Sequence, residues 1–373
     1  MIRQTLSPRT DWQSKVESVG LVFHTIDGAP YWDESACYQL SASEVDTLEA
    51  AANEVHLRCL DAAQAIIDRK LWQSMAIPEA AISEIEQSWR LDDASIYGRF
   101  DFAWDGVSPP QLLEYNADTP TALLEASVVQ WHWLQEAQPD ADQFNSIHER
   151  LIAAWKKLDA DSVHFASVAD STEDGMTALY LRDTCEQAGK QTASLDMSEI
   201  GWNRLAKRFV DPDGRFIDKL FKLYPWEWMW DEEFGAHITG QGHHFIEPVW
   251  KMMLSNKAIL PLLWEMFPHH PNLLPAFHQP EPLRGTYVRK PKLSREGANI
   301  EWRQNDALLE SSDGEYGEDG YIYQAPASMP CHEGNYPVFG VWMIDGEAAG
   351  LGIREDRRRI TSNLSRFVPH FFR

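Results

Sequence analysis

YGRFDFAWDGVSPPQLLEYNADTPT, residues 97–121, decides the fold, because its two halves both alternate with the period of a β-strand. The first half places Arg99 and Asp101 on one face of a strand and aromatic residues on the other. Those aromatic residues are Phe100, Phe102 and Trp104. This pattern predicts a strand with one polar and one buried face.

The second half repeats the alternation after the turn-forming residues DGVSPP. Here Leu112, Glu114 and Asn116 share a face, and Leu113 and Tyr115 take the opposite one. Two alternating segments joined by a turn predict a β-hairpin. We therefore expect cross-strand pairing to bring the polar residues of both segments together.

The hairpin would gather Asp101, Glu114 and Asn116 beside Arg99. Three hard oxygen ligands next to an arginine suit a Mg²⁺ ion that carries phosphates. Two ordinary half-exposed strands with solvated charges show the same alternation. The spacing alone leaves both interpretations open.

The length and charge of the chain limit the classes of protein. A chain of 373 residues exceeds the usual single core, so we expect two or three interlocked subdomains around a deep cleft. The net charge of -24 argues against nucleic-acid binding, because phosphate backbones require a basic surface. It is compatible with cationic partners such as polyamines, and also with acidity that serves solubility alone.

The cysteines and the apolar runs indicate a cytoplasmic protein. Cys37, Cys59, Cys185 and Cys331 are scattered, which predicts reduced thiols rather than a disulfide framework or a metal site. The first twenty residues lack the apolar core of a signal peptide, and no run approaches the roughly 18 residues of a membrane span. We therefore expect no membrane and no nucleic-acid partner, and a homodimer stays open.

Helical spacing flanks the hairpin on both sides. Ser41 and Glu44 form a capping-box pattern before apolar residues that recur at helical spacing, which predicts a long helix ending before Pro78. After the hairpin, Asp118 and Thr119 are possible caps of a second helix whose free N–H groups could hold an anion.

The predicted secondary structure changes twice in the later part of the chain. Residues 160–200 read as a βαβ unit, and the Trp-rich residues 216–267 read as helical. From residue 284 onward, short strands alternate with glycine turns. Since the sequence contains no internal repeat and no long linker, we expect one compact catalytic unit.

Several cationic residues of the second half could bind a nucleotide. Lys290 lies on a predicted strand, and the turn SREG at residues 294–297 can present backbone N–H groups to phosphate oxygens. Lys257 precedes an apolar stretch, and Arg354 ends a glycine-containing strand. A hairpin with exposed basic residues and a surface salt bridge are the alternatives, since no Walker A pattern occurs.

Five motifs in this order resemble the synthetase domain of the glutathionylspermidine synthase family, an ATP-grasp ligase group. The resemblance covers residues 15–370. The motifs are YGRFDF, LLEYNADTPT, EPVWKMMLSNKAILPLLWEMFPHHPNLL, YVRKPKLSREGAN and GIREDRRRITSNLSRFVPH. Five ordered motifs are far more specific than any one of them.

The resemblance implies an α+β fold in which an ATP-grasp part follows a pre-ATP-grasp-like α/β part, packed as one catalytic unit of residues 1–373. The pre-ATP-grasp-like part is expected near 90–210. The ATP-grasp part is expected at about 211–373 together with the N-terminal helices, with a lid near 284–303. Family members join the glycine carboxylate of glutathione to an amine of spermidine through an acyl phosphate made from ATP.

The resemblance also implies roles for residues around the phosphates and the nucleotide. The magnesium ligands would be Asp101, Glu114 and Asn116. Arg99 and Arg354 look like the residues that hold the transferred phosphate and the charged intermediate. The nucleotide would bind to Lys257, Lys290, Gly297 of the turn and Gln324 at the adenine hinge.

Roles for the other substrates follow in the same way. Thr119 and Thr121 stand where family members meet the thiol peptide, and Arg295 matches a contact to the peptide carboxylate. Glu173 and Asp174 fall near acidic positions used for peptide or polyamine, although DSTEDGMTALYLRD departs from the family pattern there. The resemblance therefore implies ATP and Mg as cofactors and leaves the acid and the amine open.

The bifunctional members of the family carry an N-terminal amidase for which this sequence has no room, so the resemblance is to the stand-alone branch. We expect a chain that makes but does not hydrolyse its amide. Two alternatives stay open. One is a hydrolase that uses Asp101 and Glu114 as a carboxylate pair. The other is a non-enzymatic binder of polyamines or cationic peptides.

Overall fold

The computed structural model describes residues 1–305 and 307–373, and it agrees with the expectation of an α+β protein. The α-helices of these residues are α1 (Trp12–Ser18), α2 (Ala42–Arg69), α3 (Glu79–Arg90), α4 (Gln130–Ala137), α5 (Ile147–Lys157), α6 (Thr172–Gln187), α7 (Trp226–Asp231), α8 (Met252–Ser255) and α9 (Ile259–Met266). The strands are β1 (Ile2–Thr5), β2 (Thr25–Ile26), β3 (Ala29–Pro30), β4 (Ala36–Leu40), β5 (Tyr97–Ala103), β6 (Gln111–Asn116), β7 (Ser162–Ser167), β8 (Gln191–Asp196), β9 (Gly201–Asn203), β10 (Arg208–Val210), β11 (Leu220–Lys222), β12 (Phe245–Ile246), β13 (Ala276–Phe277), β14 (Tyr287–Pro291), β15 (Glu301–Gln304), β16 (Ala307–Ser311), β17 (Tyr321–Gln324), β18 (Tyr336–Ile344), β19 (Glu347–Asp356), β20 (Arg366–Val368) and β21 (His370–Phe372).

The central sheet is antiparallel and has the strand order β20-β19-β18-β5-β6. Strands β5 and β6 form the hairpin that the sequence predicts. Arg99 lies opposite Asn116, and Asp101 lies opposite Glu114. The predicted convergence of these four residues is therefore confirmed at the level of strand register.

A β-bulge corrects one detail of the alternation. The register of the hairpin shifts between Asp101 and Phe102, so that Leu112 lies opposite Phe102 and is buried with it. The extra residue is Leu113, which lines a cavity. The prediction that Leu112 shares the face of Glu114 is wrong, because a bulge reverses the facing of all residues beyond it.

A second antiparallel sheet, in the order β13-β17-β14-β15-β16, packs against the central one. We call it the lid sheet, because its strands β14 and β15 and the 292–299 loop between them include most of the predicted lid. Lys290 of β14 donates a hydrogen bond to the carbonyl of Leu113 at 2.9 Å, which links the two sheets. A cleft lies between the sheets at this contact.

A parallel sheet in the order β12-β11-β7-β8 packs beside these two. Strands β7 and β8 with helix α6 confirm the predicted βαβ unit. Strands β11 and β12 correct the helical prediction for 216–267, since short apolar runs fit a buried strand as well as a helix. The sheet takes strands from both sides of residue 210, and the domain boundary there stays a prediction.

The long helix α2 confirms the capping-box prediction. Ser41 accepts a hydrogen bond from the N–H of Glu44, and the Glu44 carboxylate accepts one from the N–H of Ser41. The apolar face of α2 packs on β18 and β19 and on helices α8 and α9. This contact forms the larger hydrophobic core beneath the central sheet.

The second predicted helix begins later than its cap pattern indicates. Helical residues start at Leu123, and a π-helical turn at Glu125–Val129 precedes α4. The Asp118 carboxylate does not cap this helix, because it accepts hydrogen bonds from Lys222 and from the N–H of Trp226, the first residue of α7. Among the residues that the structure describes, no helix combines the length and the apolar character needed to cross a membrane.

Candidate active site

A cavity of about 410 Å³ opens between the central sheet, the N-terminal end of α6 and the 292–299 loop. We call it the acid cavity, because carboxylates contribute much of its lining. Most of the predicted site residues line it: Arg99, Asp101, Glu114, Asn116, Thr119, Thr121, Glu173, Asp174, Arg295, Gly297 and Arg354. The fold therefore gathers residues that are more than 250 positions apart in the sequence.

A smaller cavity of about 90 Å³ lies between the central sheet and the lid sheet. Lys290 and Gln324 line it together with apolar residues of both sheets, and we call it the apolar cavity. Asp101, Glu114 and Gly297 line both cavities. The two cavities are therefore neighbouring parts of one cleft that meet at the hairpin carboxylates.

Arg99 and Asp101 form a two-point ion pair at the junction. The Nε and Nη2 atoms of Arg99 donate to the two carboxylate oxygens of Asp101 at 2.6 and 2.9 Å. Burial alone would lower the pKa of Arg99, but the charge and the hydrogen bonds of Asp101 raise it above its ordinary value. Nη1 of Arg99 also donates to the carbonyl of Thr121 at 2.7 Å, which holds the segment after the hairpin.

Glu114 lies between two lysines. Its carboxylate is 3.1 Å from Nζ of Lys257, and Lys290 lies close enough to act on it electrostatically. Burial alone would raise the pKa of Glu114, but Lys257 and then Lys290 lower it to about 2. Glu114 is therefore ionised at every ordinary pH.

Lys290 is buried and also faces a second group, Gln324. Its Nζ donates to Oε1 of Gln324 at 2.8 Å, and Gln324 in turn donates to the carbonyl of Leu112 at 3.0 Å. Burial lowers the pKa of Lys290 to about 8, Glu114 opposes that shift, and Lys257 adds to it. The negative charge of Glu114 therefore only partly offsets the cost of burying the Lys290 ammonium group.

The 292–299 loop closes over the junction through contacts on both sides. Nζ of Lys257 donates to the carbonyl of Ser294 at 2.9 Å, and Arg295 donates to the carbonyl of Thr119 at 3.3 Å. Gly297 adopts a positive φ of 70°, and a Cβ atom at this position would lie 2.1 Å from the carbonyl oxygen of Thr361. Only glycine fits this approach without displacing the loop.

Arg354 approaches the acid cavity from β19. Its Nη2 atom donates to the carbonyls of Ser362 at 2.6 Å and Ser365 at 3.3 Å. Its Nε atom is buried and has no hydrogen-bond partner in the described part of the chain. The guanidinium therefore retains donor capacity for an anion.

The chemistry of the hairpin side chains fits Mg²⁺ together with a phosphorylated ligand. Nδ2 of Asn116 lies 3.1 Å from a carboxylate oxygen of Asp101 and 3.4 Å from one of Glu114, so the three side chains meet. The described residues contain no group of three or more His, Cys, Asp or Glu side chains that could hold a metal ion. Two carboxylates suffice for Mg²⁺ when phosphate oxygens supply other ligands.

The sequence analysis missed one wall of the acid cavity. Asp118 and Glu227 line it together with Arg295. Asp118 is buried and its carboxylate lies 2.5 Å from Nζ of the fully buried Lys222. The signal for this pair was a lysine in the apolar run LFKLYP, since a buried lysine requires a partner.

The carboxylate of Glu227 accepts a hydrogen bond from the backbone N–H of the same residue. No hydrogen bond or ion pair from another described residue reaches it. Burial raises the pKa of Glu227, and the negative charge of Asp118 raises it further. Asp174 also lines the cavity. Burial raises its pKa, the positive charge of Arg295 opposes that shift, and the negative charge of Glu173 adds to it.

Comparison with known proteins gives a consistent result. The chain matches the family model described as glutathionylspermidine synthase preATP-grasp over residues 3–373. A Haemophilus influenzae protein named provisionally as an acid–amine ligase is 40% identical, with 98% of this chain and 97% of that protein covered. Trypanothione synthetase from Crithidia fasciculata is 30% identical, with 85% of this chain and 55% of that protein covered.

The bifunctional glutathionylspermidine synthetase/amidase of Escherichia coli is 28% identical, with 89% of this chain and 58% of that protein covered. The chain thus spans little more than half the length of these two synthetases. Among solved structures, a glutathione synthetase-like effector from Globodera pallida has a TM-score of 0.58 and 11% identity, with 98% of this chain and 96% of that chain covered. That last likeness concerns the fold alone.

Proposed function

This chain belongs to the glutathionylspermidine synthase family, and we propose that it is an ATP- and Mg²⁺-dependent ligase that joins a carboxylate to an amine through an acyl phosphate. The observation that carries this proposal is the junction of the two cavities at Asp101 and Glu114. A nucleotide in the apolar cavity would direct its terminal phosphate to this junction. A carboxylate and an amine would meet that phosphate in the acid cavity.

We propose an ATP-grasp arrangement, in which the nucleotide lies between the central sheet and the lid sheet. Gln324 and the following residues receive the base, and Lys290 and Lys257 bind phosphate oxygens. The backbone of the 292–299 loop covers the phosphates, with Gly297 at the closest approach. The apolar lining of the cavity supports this assignment, because the flat faces of a purine ring pack well on apolar side chains.

Asp101, Glu114 and Asn116 are the proposed Mg²⁺ ligands. Bound Mg²⁺ would neutralise phosphate charge and orient the reacting oxygens. In the protein without ligands, Arg99 and Lys257 compensate the two carboxylates. We therefore propose that ligand binding exchanges partners, so that the cations turn to phosphate oxygens when the carboxylates bind the metal.

The first chemical step is phosphoryl transfer to the substrate carboxylate. A carboxylate oxygen attacks the terminal phosphorus, the bond to ADP breaks, and an acyl phosphate forms. This step requires alignment and charge neutralisation rather than covalent help from the protein. Arg354 and Arg99 hold the transferred group, while Arg295, Thr119 and Thr121 position the carboxylate substrate.

The second step forms the amide bond. The amine nitrogen attacks the acyl carbon, the bond to phosphate breaks, and inorganic phosphate leaves. An ammonium group must first lose a proton, and we assign Glu227 to accept it, because no other described residue donates a hydrogen bond to its carboxylate and its pKa is raised. Glu173 and Asp174 supply further negative charge for a cationic amine.

The substrate classes are proposed from the same cavity. The acidic lining favours an amine with more than one positive charge, such as a polyamine, and Arg295 favours a peptide carboxylate. The names of the relatives, glutathionylspermidine synthetase and trypanothione synthetase, support this pair of classes. Trp228, which lies beside Arg295 with 5.8 Å between the guanidinium and the ring centre, narrows the space for the peptide.

The structure disfavours the carboxylate-pair hydrolase. A glycosidase acid must be protonated near neutral pH. The pKa of Glu114 is about 2, so it cannot donate a proton there. Both carboxylate oxygens of Asp101 already accept hydrogen bonds from the guanidinium of Arg99.

ADP release tests the proposal. Purified protein with ATP and Mg²⁺ is assayed while a panel of peptides is crossed with a panel of polyamines and amino acids. We expect ADP release that requires both members of a pair, and its loss in Asp101→Ala and Glu114→Ala. The control is Asp345→Asn at an exposed turn of the same sheet. Near-normal turnover in either alanine variant would overturn the metal assignment, and pair-dependent amine binding without any ATP binding would favour a non-enzymatic binder.

A further inference from the structure

The lid sheet contacts the C-terminal loop, residues 356–365, through the carboxylate of Glu310 on β16. One oxygen of this carboxylate accepts hydrogen bonds from Nε of Arg358 at 3.2 Å and from the N–H of Ile360 at 3.0 Å. The other oxygen accepts one from the N–H of Arg359 at 3.3 Å. A single side chain thus organises three consecutive residues of the loop.

A second contact lies beside it. The guanidinium of Arg359 is 4.4 Å from the ring centre of Trp302 on β15 and 4.5 Å from that of Tyr336 on β18. Both distances are within cation–π range. Arg359 therefore connects the lid sheet to the central sheet, and it also lines the apolar cavity with Trp302.

The C-terminal loop is itself fixed to the candidate active site. Arg354 donates to the carbonyls of Ser362 and Ser365, and Ser365 donates to Asp356 at 2.7 Å. The carbonyl of Thr361 is the atom that Gly297 approaches. A displacement of this loop would therefore affect Arg354 and the 292–299 loop together.

We infer that Glu310 and Arg359 are positioning residues that hold the lid sheet closed over the nucleotide and thereby control the release of ADP. We call the Glu310 contacts and the Trp302–Arg359–Tyr336 stack the latch. This assignment rests on the proposed function in one respect only, which is the identity of the nucleotide. The latch contacts join protein groups to one another, so they can be tested without a nucleotide.

The latch has a clear physical consequence. Contacts that stabilise the closed state raise the free-energy barrier that the nucleotide must cross to leave. Their loss therefore changes the rate of departure, while the geometry of the closed state stays the same. Loss of the latch should therefore accelerate ADP release. It should not remove the phosphate-binding groups, because neither Glu310 nor Arg359 hydrogen-bonds Lys257 or Lys290.

Hydrogen exchange in the free protein is the first test. We compare wild type with Glu310→Gln. The matched control is Glu318→Gln, at an exposed position in the loop between β16 and β17. We expect at least tenfold faster exchange of amides in residues 292–304 and 356–365 in Glu310→Gln, with α2 and β18 unchanged. Equal exchange in wild type and Glu310→Gln would overturn the latch.

The second test measures ADP with Mg²⁺ by stopped flow. Arg359→Lys keeps the charge but loses the planar stack between two rings, and Arg357→Lys at an exposed neighbouring position is its control. We expect about tenfold faster ADP release in Glu310→Gln and Arg359→Lys, ~1.4 kcal/mol, with the association rate within about twofold of wild type. An unchanged release rate in both variants would contradict the assignment. If wild type binds no ADP, the proposed function fails, while the exchange experiment still decides on the latch.

Discussion

Replacement of Lys290 by methionine tests the electrostatics of the site most directly. Lys290 is 5% exposed, and its pKa is about 8 against an ordinary 10.5. At 1.36 kcal/mol per pH unit, holding the charged form in the folded protein costs about 3 kcal/mol below pH 8. Methionine has a similar length and removes this cost.

The substitution also removes two hydrogen bonds. The carbonyl of Leu113 and Oε1 of Gln324 lose their shared donor, at a cost of about 1 to 3 kcal/mol each when no water replaces it. The two effects oppose each other. We therefore expect Lys290→Met to lie between about 1 kcal/mol more stable and about 3 kcal/mol less stable than wild type at pH 7, while its affinity for ATP falls at least tenfold.

The sharper expectation concerns pH. Between pH 8 and 10.5 the unfolded chain binds more protons at residue 290 than the folded protein does, so the free energy of unfolding of wild type rises with pH there. Lys290→Met lacks this rise. The stability of wild type relative to the variant should therefore increase by about 2 kcal/mol between pH 7 and 9.5.

Urea unfolding at pH 7 and pH 9.5 measures the difference. Titration of other groups cancels between wild type and variant. Lys292→Met, at a partly exposed lysine two residues further along the chain, is the control for the loss of a lysine from this segment. A stability difference between wild type and Lys290→Met that is the same at both pH values would refute the reasoning.

Other positions give shorter tests. Gly297→Ala should reduce ATP turnover more than 10-fold, because its Cβ would lie 2.1 Å from the carbonyl oxygen of Thr361 and displace the loop; normal turnover would contradict the closed loop. Glu125 is buried, accepts a hydrogen bond from Tyr31, and has a pKa raised by burial to about 7. The folded protein therefore binds more protons there than the unfolded chain between pH 4.5 and 7, and Glu125→Gln should stabilise the protein by up to about 3 kcal/mol at pH 8 but not at pH 4.5, as measured by urea unfolding at both pH values. Glu227→Gln should abolish amide formation while hydroxylamine, which is neutral at pH 7, still traps the acyl phosphate, and equal loss of both products would point to a structural role.

The hairpin shows how far local sequence information reaches. Alternation over residues 97–116 was sufficient to predict both strands and the convergence of Asp101, Glu114 and Asn116, because each strand has one buried face. It did not predict the bulge at Leu113, since a bulge changes no composition. The same bulge exposes the carbonyl that Lys290 binds.

The wall of the acid cavity that Asp118 and Glu227 form could not be predicted from local sequence. Asp118 looked like a helix cap because cap preference is local, whereas its partner Lys222 is 104 positions away in another sheet. Glu227 gave no signal at all, because a glutamate in a tryptophan-rich helix reads as an exposed residue. The register of short parallel strands such as β11 depends on packing, and the sequence around residues 216–267 therefore misled the helical prediction.

The distribution of charge within one cleft explains how so acidic a protein could bind a polyphosphate. At the junction, four cations face two carboxylates, which leaves an excess of positive charge where a magnesium-bound nucleotide with net negative charge would lie. These cations are Arg99, Lys257, Lys290 and Arg354. On the far side of the acid cavity the excess is negative, because the carboxylates of Asp118, Glu173, Asp174 and Glu227 outnumber the cations of Arg295 and Lys222. A phosphate and an ammonium group would therefore favour opposite sides of the cavity. The acyl carbon would lie between them, with the attacking amine on one side and the leaving phosphate on the other.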